Sequence, residues 1–224
     1  IGSNYFFEIA KLRAFRILVE VLLKERGIQH TTIHIFTKPS LRNKTIFDYN
    51  VNMLRTTSEC MSAILGGSDT ISNISYDSIY HKSNEFGERI ARNQLLILKE
   101  EAYLSEAHKF ANGAYYIENT EKQFAEKALQ LFKQIEKNGG FLKQLKKGTI
   151  QNKISENAGK QQELFDQNEL ILLGTNKLPS QNDRMKNELQ IYPFLKKKNS
   201  KTLIVPILQR RLSEQHEQNR LKME

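Results

Sequence analysis

Five histidines, one cysteine and the hydroxyl-rich run Arg55-Thr56-Thr57-Ser58-Glu59 are the side chains with which this 224-residue chain could do chemistry. A metal centre needs His, Cys, Asp or Glu grouped at helix or turn spacing. His30, His34, His81, His108 and His216 are instead scattered, and none belongs to an H-E-x-x-H signature. His30 and His34 would share one face of a strand, with solvent and a carbonyl as the expected neighbours. Cys60 has no histidine beside it in sequence and falls within an expected helix, so packing rather than nucleophilic attack is its expected role. Neither G-x-x-x-x-G-K-[ST] nor G-x-G-x-x-G occurs, and no phosphate-cradling loop is expected. Glu88 and Arg92 stand at i, i+4, the spacing of an exposed helical ion pair worth a few tenths of a kcal/mol. No residue is therefore expected to be catalytic, cofactor-binding or metal-ligating.

The elements that must position these residues alternate between strand and helix. "TTIHIF", residues 31–36, has the β-branched and aromatic content of a strand, and "DTISNIS", residues 69–75, is a second strand candidate. Between them a helix is expected over 50–65, its apolar side formed by Leu54, Met61, Ile64 and Leu65, with Gly66 and Gly67 as its C-terminal cap. Ala91, Leu95, Leu98 and Ala102 recur at helical spacing within 84–103. Thr120 and Gln123 have the spacing of a capping box before Phe124, Ala128, Leu131 and Ile135, a helix that Asn138, Gly139 and Gly140 end. A polar helix is expected over 149–167, then a short buried strand or strand-like loop at "LILLGTN", residues 170–176. The segment 177–201, punctuated by Pro179 and Pro193, reads as a surface arm, and a last helix is expected to start at Pro206. Strand and helix in alternation point to a parallel sheet, whose strands need neighbours on both edges. Too few units are present to close a barrel, so the chain reads as the second half of one plus an extension.

Composition narrows the class further. At 39% hydrophobic and 26% charged, with no run of about 18 apolar residues, the chain is expected to be globular and free of a membrane anchor. The opening "IGSNYFFEIAKLRAFRILVEVLLKE" reads as an amphipathic helix rather than a signal peptide, and Ile at position 1 predicts a chain that starts inside a larger protein. One cysteine permits no internal disulfide, which fits a cytoplasmic location. The net charge of +9 invites a nucleic-acid reading. Its distribution argues against one, because residues 177–224 hold eleven Lys/Arg, among them Lys196, Lys197, Lys198, Arg210 and Arg211, against five Asp/Glu, so +6 of the +9 sits in the tail. A solvated basic surface is the expected meaning.

The stretch "NKTIFDYNVNMLRTTSECMSAILGG", residues 43–67, closely resembles the barrel domain of methylmalonyl-CoA mutases. "FFEIAKLRAFR" (6–16), "ERIARNQLLILKEEAYL" (88–104), "GAYYIENTEKQFAEKALQLFKQIEKNGG" (113–140) and "LLGTNK" (172–177) resemble further blocks of that family in the same order. The resemblance covers roughly residues 4–180. It implies an α/β fold, the second half of a TIM-type (β/α)8 barrel with a C-terminal helical or irregular extension, divided into a partial barrel over 1–176 and a basic linker and C-terminal helix over 177–224.

Catalytic chains of the family carry an S-L-H-T-N-like strand whose histidine faces the thioester. The matching place here is "TISNIS", with Ser72 at the histidine position, and "KPSLRN" (38–43) stands where a T-S-G-W-S-like strand end would be. A D-P-x-G-G-S-Y-Y-I-E-like block reads "KFANGAYYIE", with Lys109 and Phe110 in place of Asp-Pro. Base-off cobalamin sites of the family use D-x-H-x-x-G, in which the aspartate orients the cobalt-ligating histidine. Here the residues two before the histidines are Ile28, Thr32, Ile79, Glu106 and Glu214. The resemblance thus implies a small, non-catalytic subunit, in which 52–77 is a substrate wall that has lost its histidine. Its expected partner is a large catalytic subunit that binds adenosylcobalamin, in a heterodimeric isomerase interconverting methylmalonyl-CoA and succinyl-CoA, with acyl-CoA bound in the complex and neither nucleic acid nor membrane as a partner. The alternatives are a catalytic acyl-CoA mutase of other specificity and a basic interaction module.

Overall fold

A computed structural model of the chain describes residues 1–28, 31–196 and 202–224; His30, Lys197, Lys198 and the side chain of His108 lie outside the described residues. The fold is α/β and mostly helical: α1 (Tyr5–Glu25), β1 (Phe36–Thr37), α2 (Val51–Leu65), β2 (Thr70–Ile71), α3 (Glu85–Leu96), α4 (Tyr115–Lys137), α5 (Phe141–Lys146), α6 (Thr149–Asp166) and α7 (Glu214–Met223). A π turn, Ile97–Glu101, and a 3-10 turn, Leu104–Lys109, follow α3. β1 and β2 pair in parallel, Phe36 with Thr70 and Thr37 with Ile71, so β1, α2 and β2 make one βαβ unit. Two compact units result: residues 1–40, 52–78 and 83–130, and residues 41–51, 79–82 and 131–224.

In the first unit, Asn4 starts α1 by accepting the Phe7 N–H at 3.2 Å, and Ile9, Ala10, Leu12 and Ala14 are the buried positions of that helix. Leu12, Ile35 and Ala63 form one apolar cluster, and Ile9, Ala111 and Ile117 another. Gly66 lets α1 approach: a Cβ there would stand 2.8 Å from Leu12 Cδ1. Gly67, at φ +79°, turns the chain out of α2 while the Ser68 N–H reaches the Ala63 carbonyl at 3.0 Å.

The second unit has its main core at Ile46, Phe47, Ile79, Tyr80, Met185 and Phe194, and a smaller one at Phe165, Leu172 and Leu212. A buried ion pair, Arg211 Nη2 to Glu217 Oε2 at 2.6 Å, fixes the start of α7. Arg211 Nη1 also donates to the Lys44 carbonyl at 3.0 Å, and Glu217 Oε1 accepts the Ile46 N–H at 3.0 Å, so the pair binds α7 to residues 44–46.

Several expectations are corrected. The strands at 31–36 and 69–75 shrink to two paired residues each, because a ladder extends only as far as its partner. The helix expected over 84–103 ends as an α-helix at Leu96; Ala91 and Leu98 are buried but Ala102 is exposed. Thr120 is no cap, since α4 starts five residues earlier and the Thr120 hydroxyl donates back to the Tyr116 carbonyl at 2.7 Å. Of its apolar stripe, Phe124 and Ile135 are half-buried while Ala128 and Leu131 are exposed. Glu88, expected to pair with Arg92, accepts the Ser83 hydroxyl. The last helix begins at Glu214, not Pro206. The arm expected over 177–201 does not stay wholly on the surface, because Met185 and Phe194 enter the core of the second unit; their apolar side chains gain by burial, while most polar residues of the described part, 177–196, remain exposed. Residues 170–176 form a strand-like loop with one bridge, Leu173 to Lys177.

Candidate functional site

The stretch 52–77 occupies the first unit, and its helix is turned opposite to the expected way. Leu54 is 71% exposed, and Met61, Ile64 and Leu65 are only half-buried. The buried face of α2 is Asn52, Thr56, Glu59, Cys60, Ser62 and Ala63. Polar groups at such depth are tolerated only when hydrogen-bonded. Asn52 Nδ2 donates to the Tyr76 carbonyl at 2.9 Å, and Arg55 Nη1 donates to Asn52 Oδ1 at 2.8 Å. The Thr56 and Thr57 hydroxyls both donate to the Met53 carbonyl, at 3.1 and 2.8 Å, the back-bonding open to hydroxyls in a helix.

Gln94 of α3 gathers these groups. Its Nε2 donates toward the Met53 carbonyl at 2.5 Å, Thr57 Oγ1 at 2.7 Å and Thr56 Oγ1 at 3.1 Å, while its Oε1 accepts Asn73 Nδ2 at 3.0 Å. Asn73 Nδ2 also reaches the Ala91 carbonyl at 3.1 Å. Below this, Asn84 caps α3: its Oδ1 accepts the Gly87 N–H at 2.8 Å, its Nδ2 donates to Asp77 Oδ2 at 2.7 Å, and Asp77 Oδ1 accepts the Ser75 hydroxyl. The Asp77 carboxylate is thus held beside the N-terminus of α3, where negative charge is favoured.

Chemically, this arrangement holds its side chains in position. The Thr56 and Thr57 protons are committed to a backbone carbonyl. Ser72, half-buried just after β2, donates its N–H to the Thr37 carbonyl at 3.0 Å. His34 Nε2 contacts Thr70 Oγ1 at 2.9 Å, and in the second unit His81 lies against the Tyr80 ring and His216 against Phe165. Among the described residues no three His, Cys, Asp or Glu side chains are grouped to hold a metal ion. Cys60 is buried on α2. Sequence reading missed Asn52, Asn84 and Gln94. Their signal was present, since Asn52, Thr56, Glu59 and Ala63 recur at helical spacing, but a search for apolar periodicity passes over a polar stripe.

At the other end of the βαβ unit, burial pushes the Asp69 carboxyl up, yet the Ile35 N–H and the Arg16 guanidinium, at 2.7 and 2.8 Å, outweigh it and hold Asp69 below the usual carboxylate range. Arg16 also donates to the Ile33 and Gly67 carbonyls, both at 2.8 Å. This junction ties α1 to both strands.

Comparison with known proteins places the chain in context. A family model described as methylmalonyl-CoA mutase matches residues 1–223. The methylmalonyl-CoA mutase small subunit of Porphyromonas gingivalis is 40% identical over 80% of this chain and 30% of its own length. A methylmalonyl-CoA mutase of Rhizobium meliloti is 33% identical, covering 85% of this chain and 27% of the relative, and the large subunit from P. gingivalis is 30% identical, covering 79% and 25%. The chain therefore spans about a quarter to a third of the length of these relatives. His216 Nε2 stands 3.9 Å from Asp166 Oδ1, beyond hydrogen-bond reach, so that pair is not the carboxylate-held histidine that a cobalamin lower ligand uses.

Proposed function

The chain belongs to the methylmalonyl-CoA mutase family, and from that premise we propose that it is part of a small, non-catalytic subunit of an adenosylcobalamin-dependent mutase, supporting interconversion of methylmalonyl-CoA and succinyl-CoA. In this reading a large catalytic subunit binds the cofactor and turns over the acyl-CoA, in the cytoplasm. Residues 1–176 contribute the second half of a TIM-type barrel and 177–224 an extension. The parallel βαβ unit supports the barrel assignment, and the appearance of both a small and a large P. gingivalis subunit among the relatives supports the two-subunit arrangement.

One observation carries the reading. The polar wall formed by α2, the 72–77 segment and α3 is closed on itself: Gln94, Thr56, Thr57 and Asn73 bond to one another and to backbone carbonyls, and Ser72 brings no imidazole. Such a wall holds shape and donates no proton to a substrate. The test is a titration of the full-length small subunit into purified large subunit, following the quantity of stable complex and the mutase rate together. A supporting subunit raises the amount of folded, active partner by mass action without changing the rate per assembled complex. A rise in intrinsic rate at constant complex concentration would refute it.

A further inference from the structure

The second unit contains a cleft of about 390 Å³ bounded by Phe47, the segment around Gly174–Arg184 and the far turns of α7, a size typical of small-molecule sites. We propose that this cleft binds a small organic anion, a carboxylate or phosphate carried on an apolar body. The inference does not rest on the mutase assignment. Phe47, Pro179 and Met223 supply apolar wall, and the charged groups are Arg184 and Arg220 against Glu217 and Glu224, with the His216 imidazole beside them. Both acids make contacts within the unit. Glu217 is paired with Arg211 at 2.6 Å, and Glu224 Oε2 accepts the Met185 and Lys186 N–H groups at 2.9 and 2.8 Å.

The two guanidiniums are not so neutralised. Arg220 lies over the Phe47 ring, 4.0 Å from its centroid, and its Nη2 donates to the Ser180 and Asp183 carbonyls. Arg184 donates Nη1 to the Gln181 and Asp183 carbonyls at 2.8 and 3.0 Å. Neither is paired with a carboxylate among the described residues. Carbonyls and a ring thus fix the plane of Arg220 while its remaining N–H donors stay available, which is a preorganised receptor for a flat oxyanion. A buried Thr175 Oγ1 in the wall has no hydrogen-bond partner, so its rotation toward a ligand breaks no bond. Glu217 Oε2, which faces Arg211, and Glu224 Oε1 accept no hydrogen bond and are the groups that would favour a cation, which the benzylamine arm of the test reads.

The test is calorimetric titration of the full chain with benzoate, phenyl phosphate, inorganic phosphate and benzylamine. Saturable binding of benzoate or phenyl phosphate with a Kd of roughly 1 mM or tighter is expected, with inorganic phosphate about tenfold weaker for want of an apolar body and benzylamine silent. Arg184→Gln, at an exposed side chain, should weaken the organic anion about tenfold with the thermal transition unchanged, and Thr175→Val should weaken it too. Lys160→Gln, on an exposed position of α6 outside the cleft, should change nothing and so separates the site from general attraction to a basic protein. Absence of saturation with both organic anions, benzylamine binding equal to benzoate, or equal affinity in Arg184→Gln would overturn the proposal.

Discussion

Replacing Gly87 with alanine tests whether the Asp77–Asn84 knot holds the polar wall in place. Taken alone, Gly→Ala inside a helix stabilises by about 1 kcal/mol through backbone entropy. At Gly87 that gain meets an opposing cost, because the new Cβ would lie within the contact radius of Ser75 Oγ and 2.7 Å from Asp77 Oδ1. Both atoms are pinned, Asp77 by Asn84 Nδ2 at 2.7 Å, and Asn84 in turn accepts the Gly87 N–H at 2.8 Å. Relief therefore requires moving a charge-assisted hydrogen bond, about 1.5–3 kcal/mol, and the Asn84 cap moves with it. Less the entropy gain, the net expectation is a destabilisation of about 0.5–2 kcal/mol. For a chain of this size, at roughly 2–4 °C per kcal/mol, the midpoint falls by roughly 1–8 °C. Gly159 in α6 is the matched control, since nothing lies within 4 Å of its would-be Cβ, and Gly159→Ala should gain about 1 kcal/mol. Differential scanning calorimetry of the two variants checks the sign. A Gly87→Ala midpoint equal to or above wild type would refute the reasoning.

Glu217→Ala should cost about 3–5 kcal/mol in denaturant unfolding, because it strands the Arg211 guanidinium, 4% exposed, without a counter-charge; the double variant Arg211→Met, Glu217→Leu should recover most of that loss, and a double variant as unstable as the single one would contradict it. Asp69 titrates below its unfolded value, so its contribution is present above the ordinary carboxylate pKa and lost as pH falls through the lower folded value. Asp69→Asn should therefore flatten the fall in stability below about pH 4, measured as midpoint against pH; an unchanged acid slope would count against the Arg16–Asp69 junction.

Legibility from sequence followed the source of each element's stability. α1, α2, α3 and α6 were readable because capping residues and local periodicity determine a helix within its own span, as Asn4 and Gly67 do. Strand length was not, since the ladder at Phe36–Thr37 depends on a partner more than thirty residues away. The facing of α2 was misread for a related reason. Leu54 points out and Thr56 in because Gln94, far along the chain, supplies the bonds that make a polar face burial-competent. The buried Arg211–Glu217 pair was equally hidden, as charges in a basic tail resemble solvated surface until Lys44 and Ile46 are seen to receive them. Ser72 was identified through family resemblance rather than through any local physical signal.

The central claim, that this chain supports chemistry performed elsewhere, is tested most directly at Ser72. In the assembled complex, the mutase rate of Ser72→Ala is measured beside wild type, with cobalamin absorbance followed on the small subunit alone. The account predicts turnover within about twofold, because no group acting in the transition state is removed, and no change in the cobalamin spectrum. A loss of about a hundredfold, or a cobalamin spectral change with the small subunit alone, would contradict it.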